Sequence, residues 1–171
     1  MNRRILIPGG AAVVAALIAV LLLATGGSAK NASPHVTPGA AIAVKQTALG
    51  KTLVDANGRT LYLFGADKPN RRTLSQAGLA VWPALTSTRT PKATGGAASG
   101  LIGTIRGPAG GRQVTYNRHP LYSFVGDRSP GSVSGQRLNQ FGGVWYVLSP
   151  NGNAVTQAAS SQAPALPAYG Y

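Results

Sequence analysis

The sequence predicts a mainly β protein: two related antiparallel hairpin units packed as one small sandwich or barrel, after an N-terminal signal or anchor helix. Three observations carry that expectation. Residues 53–67, LVDANGRTLYLFGAD, align without gaps on residues 113–127, QVTYNRHPLYSFVGD, so one unit occurs twice. Short β-branched and aromatic runs are punctuated by 23 glycines and 12 prolines, the composition of strands joined by turns. One three-stranded unit buries too little apolar surface to stand alone, so the two copies must share a core.

Along the chain, Arg3 and Arg4 precede an apolar stretch that runs from Ile5 to Ala24 and is broken early by Pro8-Gly9-Gly10. The small residues Gly27-Ser28-Ala29 then offer a cleavage site. Residues 1–29 therefore read as a signal peptide or an uncleaved membrane anchor; the unbroken part, Ala11–Ala24, falls short of the roughly 20 residues of a bilayer span. Both alternatives put the remainder outside the cytoplasm. Residues 30–40, with two prolines and no apolar period, read as a linker. The β domain is expected over 41–153, as repeats 41–85 and 101–149 joined by a linker, 86–100, of Thr, Gly and Ala. An Ala/Ser/Gln/Pro tail, 154–171, has no face to bury and is expected to be disordered.

Within each copy the strand signals recur. Asn57-Gly58 between LVD and TLYLF marks a tight hairpin turn. Tyr116 to Pro120 reads as a looser turn, with Asn117 tolerating the left-handed region. Upstream, AIAVK (41–45) parallels LIGTIR (101–106); downstream, VWPAL (81–85) parallels VWYVL (144–148) after three extra residues. Trp82 and Trp145 thus occupy equivalent positions and are expected in the core. Only Leu74–Val81 has the composition of a short helix.

Two of the three acidic residues close the same pattern, Tyr62-x-Phe64-x-x-Asp67 and Tyr122-x-Phe124-x-x-Asp127. Tyr and Phe fall on one face of an extended strand, and Asp falls where the strand turns. The structural expectation is aromatics in the core, tyrosine hydroxyls reaching a partner at its edge, and carboxylates fixing turns. The functional alternative makes these six residues a ligand edge for a sugar or a flat cation. A further alternative uses Asp67 and Asp127 as the carboxylate pair of a carbohydrate hydrolase. His35 lies in the linker and His119 in a turn, so no multi-histidine metal set exists. No nucleophile elbow or phosphate loop is present either. No cofactor, metal or catalytic set is expected.

The chain has no cysteine, which excludes disulfides and thiolate chemistry. Sixteen basic residues against three acidic give a charge of +13. Residues 1–29 hold two of the arginines, so fourteen basic groups against three acidic leave +11 on the exported part. An exported cationic module meets anionic envelope polymers and lipid head groups, not nucleic acid. Scattered surface charge also serves solubility, and no dense basic cluster points to one partner.

GKTLVDANGRTLYLFGAD, the VWP segment and VTYNRHPLYSFVGD followed by GQRLNQFGGVWYVLSPNG resemble the bacterial predicted lipoproteins with a conserved Yx(FWY)xxD motif, also described as a secreted repeat of unknown function. The resemblance covers about residues 41–153 and both motif copies. It implies an extracytoplasmic protein and brings no established catalytic residues. Many relatives carry a lipobox cysteine and a cysteine pair before the Trp-Pro. Here TGGSAKNAS has no cysteine, and Leu74 and Gly78 stand where the pair would fall. The expected function is that of a non-enzymatic envelope-associated or secreted binding or structural module. The alternatives are a small-ligand or redox-partner accessory protein using the two motifs, and the hydrolase.

Overall fold

Two hairpins at equivalent places in the two copies set the architecture. A computed structural model describes residues 36–159, position 38 apart. Residues 1–29 and the tail beyond 159 lie outside the described residues. Val36–Thr37 is β1. The first copy holds Ala41–Thr47 (β2), Gly50–Asp55 (β3), Tyr62–Phe64 (β4) and the helix Gln76–Val81 (α1). Thr86–Ser87 (β5) and Lys92–Ala93 (β6) follow. The second copy holds Ile102–Arg106 (β7), Arg112–Tyr116 (β8), His119–Pro120 (β9), Asn139–Gln140 (β10) and Gly143–Val147 (β11).

These strands form three open sheets: β1-β5-β8-β7 with β9 on β8, β10-β11-β4, and β3-β2-β6. Most pairs are antiparallel, while β1 on β5 and β6 on β2 are parallel. No sheet closes, so of sandwich and barrel the barrel alternative is corrected: strands of two to seven residues end before a ring can form. Segment 86–100, expected as a linker, supplies β5 and β6. Thr86 and Ser87 are buried there, and the Ser87 hydroxyl accepts a bond from the Ala40 N–H at 3.0 Å. Main-chain ladders need no apolar period, so composition did not betray these strands. The start of the tail is also engaged, since the Val155 N–H donates to the Val147 carbonyl at 2.8 Å.

The hairpin turns differ in a way that the gapless alignment hides. In copy one, Thr47 pairs with Gly50 across a two-residue turn; in copy two, Arg106 pairs with Arg112 around a five-residue turn, 107–111. At the next turn the balance reverses. Val54 bridges Thr60, with Gly58 left-handed, whereas Tyr116 pairs with His119 over Asn117 and Arg118, both left-handed. The second turn of copy two is therefore the tighter one, of the primed hairpin type. Counted between equivalent positions, 48–49 against 108–110 and 55–59 against 116–119, copy two gains one residue and then loses one, which shifts the intervening strand by one position. Leu53 is the structural equivalent of Val114: the Leu53 N–H donates to the Leu148 carbonyl, and the Val114 N–H to the Leu85 carbonyl. A one-residue slip would have turned these side chains to the opposite face, so the compensating turns preserve the core.

The copies interlock. β11 of copy two pairs with β4 of copy one, setting Trp145 opposite Phe64 and Val147 opposite Tyr62. Reciprocally, the Trp82 segment of copy one lies along the motif of copy two. There Leu85 N–H donates to Leu121, Ser123 N–H to Pro83 and Val125 N–H to Val81. At the centre, Tyr62 and Tyr122 exchange main-chain bonds of 2.8 and 3.0 Å. Alternation along β4 feeds two cores. Leu61 and Leu63 join an aliphatic cluster with Ile42, Leu53, Val114 and Leu148, while Tyr62 and Phe64 join an aromatic cluster with Trp82, Tyr122 and Trp145.

Candidate functional site: two reciprocal tyrosine–aspartate clasps

Each motif tyrosine bonds the aspartate of the other copy. The Tyr62 hydroxyl donates to Asp127 Oδ2 at 2.7 Å, and the Tyr122 hydroxyl donates to Asp67 Oδ2 at 2.6 Å. The second carboxylate oxygen is held locally. Asp67 Oδ1 accepts the Thr73 N–H at 2.6 Å and the Thr73 hydroxyl at 2.9 Å, and Asp127 Oδ1 accepts the Ser134 N–H at 2.9 Å. Both aspartates also close their own turns, through N–H bonds to the carbonyls of Phe64 and Phe124. The third acid, Asp55, accepts the N–H groups of Asn57 and Arg59 and fixes its hairpin turn. The expected turn-fixing role holds, but one oxygen of each motif carboxylate reaches across to the other repeat.

Between the clasps lies a continuous stack of four rings. Phe64 stacks on Trp145 at 4.5 Å, Trp145 on Trp82 at 3.8 Å with planes 3° apart, and Trp82 on Phe124 at 4.3 Å. Tyr62 and Tyr122 meet the indoles edge-on at 5.3 and 5.2 Å. Both faces of each indole are thus occupied by other rings. The stack ends are closed by glycines: a Cβ at Gly143 would lie 2.7 Å from Phe64 Cε2, and one at Gly126 2.8 Å from Phe124 Cζ. Gln140 serves both indoles, its side-chain oxygen accepting the Trp82 N–H at 2.9 Å and its carbonyl the Trp145 N–H at 3.4 Å.

Burial governs the electrostatics. It pushes the Tyr62 phenol well above its ordinary value, and the Asp127 charge and hydrogen bond push the same way, against the Gly135 N–H. Tyr122 is raised likewise, by burial first and then by Asp67, with Gln113 and Arg72 opposing. Burial also raises the Asp127 carboxyl, against the bonds from Tyr62 and Ser134 and the Arg59 charge. His119 is lowered by burial and by neighbouring Arg118, with Asp67 opposing. The phenolic protons therefore stay on the tyrosines across the neutral range, where neither hydroxyl serves as a base.

Of the six expected residues, Tyr62, Phe64, Tyr122 and Asp127 are buried, and Phe124 and Asp67 are half-buried. The structure brings all six into one assembly, but as two clasps around a ring stack. Each carboxylate ends on a different tyrosine. A cavity of about 290 Å³ lies between the Trp82 segment and the 107–111 turn, and none of the six lines it. Among the described residues no group of three His, Asp or Glu could hold a metal. The sequence missed Gln140, Thr73 and Ser134; the last two lie six and seven residues past their aspartates, a signal that only the duplication makes visible.

Fold and site together define an internally duplicated β module whose two copies complete one another. The profile of a family described as a secreted repeat of unknown function matches residues 43–86 and 103–149, one match in each copy, and the chain belongs to that family. No curated protein and no solved structure matches it. The family's description as secreted agrees with an extracytoplasmic location. Among the described residues no helix is long and apolar enough to cross a membrane; the signal or anchor at 1–29 lies outside them.

Proposed function

We propose that the protein is a non-enzymatic, envelope-associated or secreted module that binds anionic envelope polymers or lipid head groups through its cationic surface. The observation that carries this is the inward commitment of the motif. Its hydroxyls, carboxylates and indole faces are occupied by one another, which leaves recognition to the exterior. That exterior is basic: beyond residue 29 fourteen basic residues against three acidic leave +11, and the three acidic residues are all engaged in hydrogen bonds. Such a surface attracts polyanions over a Debye length of about 8 Å at physiological salt. Residues 1–29 deliver the module across the membrane and either are removed or tether it there; the mass of the exported protein distinguishes the two.

The test is cosedimentation of the full chain with phosphate-bearing cell-wall material and with anionic vesicles. Neutral polysaccharide and neutral vesicles are the controls. Binding to the anionic arms alone, lost near 1 M salt where the Debye length falls to about 3 Å, is expected. Binding indifferent to salt, or no stronger than to the neutral controls, would overturn the proposal.

A further inference from the structure

We infer that the cavity between α1 and the 107–111 turn is a binding site for a small amphiphilic anion, an apolar body ending in a carboxylate or phosphate. This goes beyond surface association with polyanions, because it concerns one defined cleft. The cavity measures about 290 Å³, and Leu79, Pro83, Ala84, Pro108 and Ala109 form its apolar wall. Arg112 lies on its lining and no acidic residue does, so the head group it favours is negative. The guanidinium is held in one arrangement by β7. Its Nε and Nη2 both donate to the Thr104 hydroxyl, at 3.1 and 2.6 Å, while Nη1 has no partner among the described residues. The volume lies at the lower end of the roughly 300–1,000 Å³ of ligand clefts, so the space suits a small ligand.

The comparison of the two copies explains why the cavity exists. In copy one the corresponding turn is Ala48-Leu49, and Leu49 is buried in the aromatic cluster that also holds Val147, the counterpart of Ala84. In copy two the turn is Pro108-Ala109-Gly110, one residue longer, with no large side chain to insert. Lys51 and Arg112 are equivalent by register, each following its turn. Copy one therefore fills with its own leucine a position that copy two leaves to a ligand, with a cation beside it. α1, which has no helical counterpart in copy two, supplies the opposite wall.

The experiment titrates the full chain with octanoate and octyl phosphate, against 1-octanol and octylammonium. It reads the fluorescence of the stacked Trp82–Trp145 pair and the amide resonances of Leu79 and Ala84, since Trp82 directly precedes Pro83 and Ala84 on the wall. Saturable binding of one or both anions is expected, with Kd on the order of 1 mM or tighter for so small a ligand. Which anion binds better identifies the head group. Ala80 is exposed on α1 and lines the cavity, so Ala80→Phe fills it without touching the core and should weaken binding at least about tenfold. Arg112→Gln should reduce octanoate to the level of 1-octanol. The inference is overturned if octylammonium or 1-octanol matches the anions in the unmodified chain. It is equally overturned if neither anion saturates, or if a folded Ala80→Phe variant, judged by near-ultraviolet circular dichroism, binds as before.

Discussion

Removing a single hydroxyl, in Tyr62→Phe, separates a structural clasp from a recognition site. The ring remains, so its edge contact with Trp82 and the main-chain pairing with Tyr122 persist. What is lost is the 2.7 Å bond to Asp127, a carboxylate only 6% exposed that keeps its bond from the Ser134 N–H, and the 3.3 Å bond that the hydroxyl accepts from the Gly135 N–H. A hydrogen bond to a charged group contributes roughly 1.5–3 kcal/mol, and a buried acceptor left short of a donor costs the upper part of that range. Tyr122→Phe should cost less, about 1 kcal/mol, because Asp67 is half-buried, reachable by water, and still holds two donors from Thr73. The assay is urea unfolding of both variants, with Asp127→Asn and the Tyr62→Phe/Asp127→Asn double variant closing a cycle. A coupling of about 1–3 kcal/mol is expected. If Tyr62→Phe unfolds within about 0.5 kcal/mol of the unmodified chain and yet loses binding to envelope material, the hydroxyl serves a ligand and the clasp account is refuted.

Further outcomes follow from the same contacts. The Asp127 carboxyl is raised, so the folded state holds its proton more tightly than the unfolded chain does. Its contribution to stability is therefore full below the ordinary value near 3.9 and declines as pH rises through the folded value. Unfolding free energies measured against Asp127→Asn should show the unmodified chain losing ground from about pH 4 upward. Tyr62 and Tyr122 are also raised, and their contribution is lost as pH climbs past about 10. Their phenolate absorbance should appear only with unfolding, and ionisation of both near pH 10 in a folded chain would contradict this. Gly135→Ala places a Cβ 3.0 Å from both Trp82 Cζ3 and Tyr62 Cε1, rigid rings that cannot yield, and should cost about 1–3 kcal/mol in thermal unfolding. Gly100→Ala meets open space and should be neutral or slightly stabilising. Leu74 Cγ lies 2.8 Å from where a Cβ at position 78 would sit, so Leu74→Cys/Gly78→Cys should oxidise in air and gain roughly 2 kcal/mol over its reduced form. A double variant that stays reduced by mass would show that these side chains do not converge.

The strands of each copy were legible because apolar alternation and turn residues are local: Leu61 and Leu63 face one core, Tyr62 and Phe64 the other. The crossing of the clasps was not legible, for a physical reason. Asp67 and Asp127 sit in equivalent contexts, so nothing local distinguishes bonding to the tyrosine of the same copy from bonding to that of the other. The compensating turns were hidden likewise, because an alignment without gaps cannot show one residue gained at 107–111 and one lost at 117–118. Strands β5 and β6 escaped because Thr, Ser, Lys and Ala in a ladder need only main-chain partners.

The reciprocal contacts also explain why the motif comes in pairs. A lone copy would carry a Trp segment without the strand it pairs with, half of a ring stack, and an aspartate without its phenol. Joining two copies in one chain converts their mutual recognition into an intramolecular event, which lowers the entropic cost of assembling the shared core. The motif residues are then committed to complementarity between the copies. The small-ligand site proposed above draws instead on features that the two copies do not share. Those features are the longer 107–111 turn and the helix α1 opposite it, which flank Arg112, the counterpart of Lys51. Symmetry in this chain holds the fold, and the departures from symmetry are where specificity has room to arise.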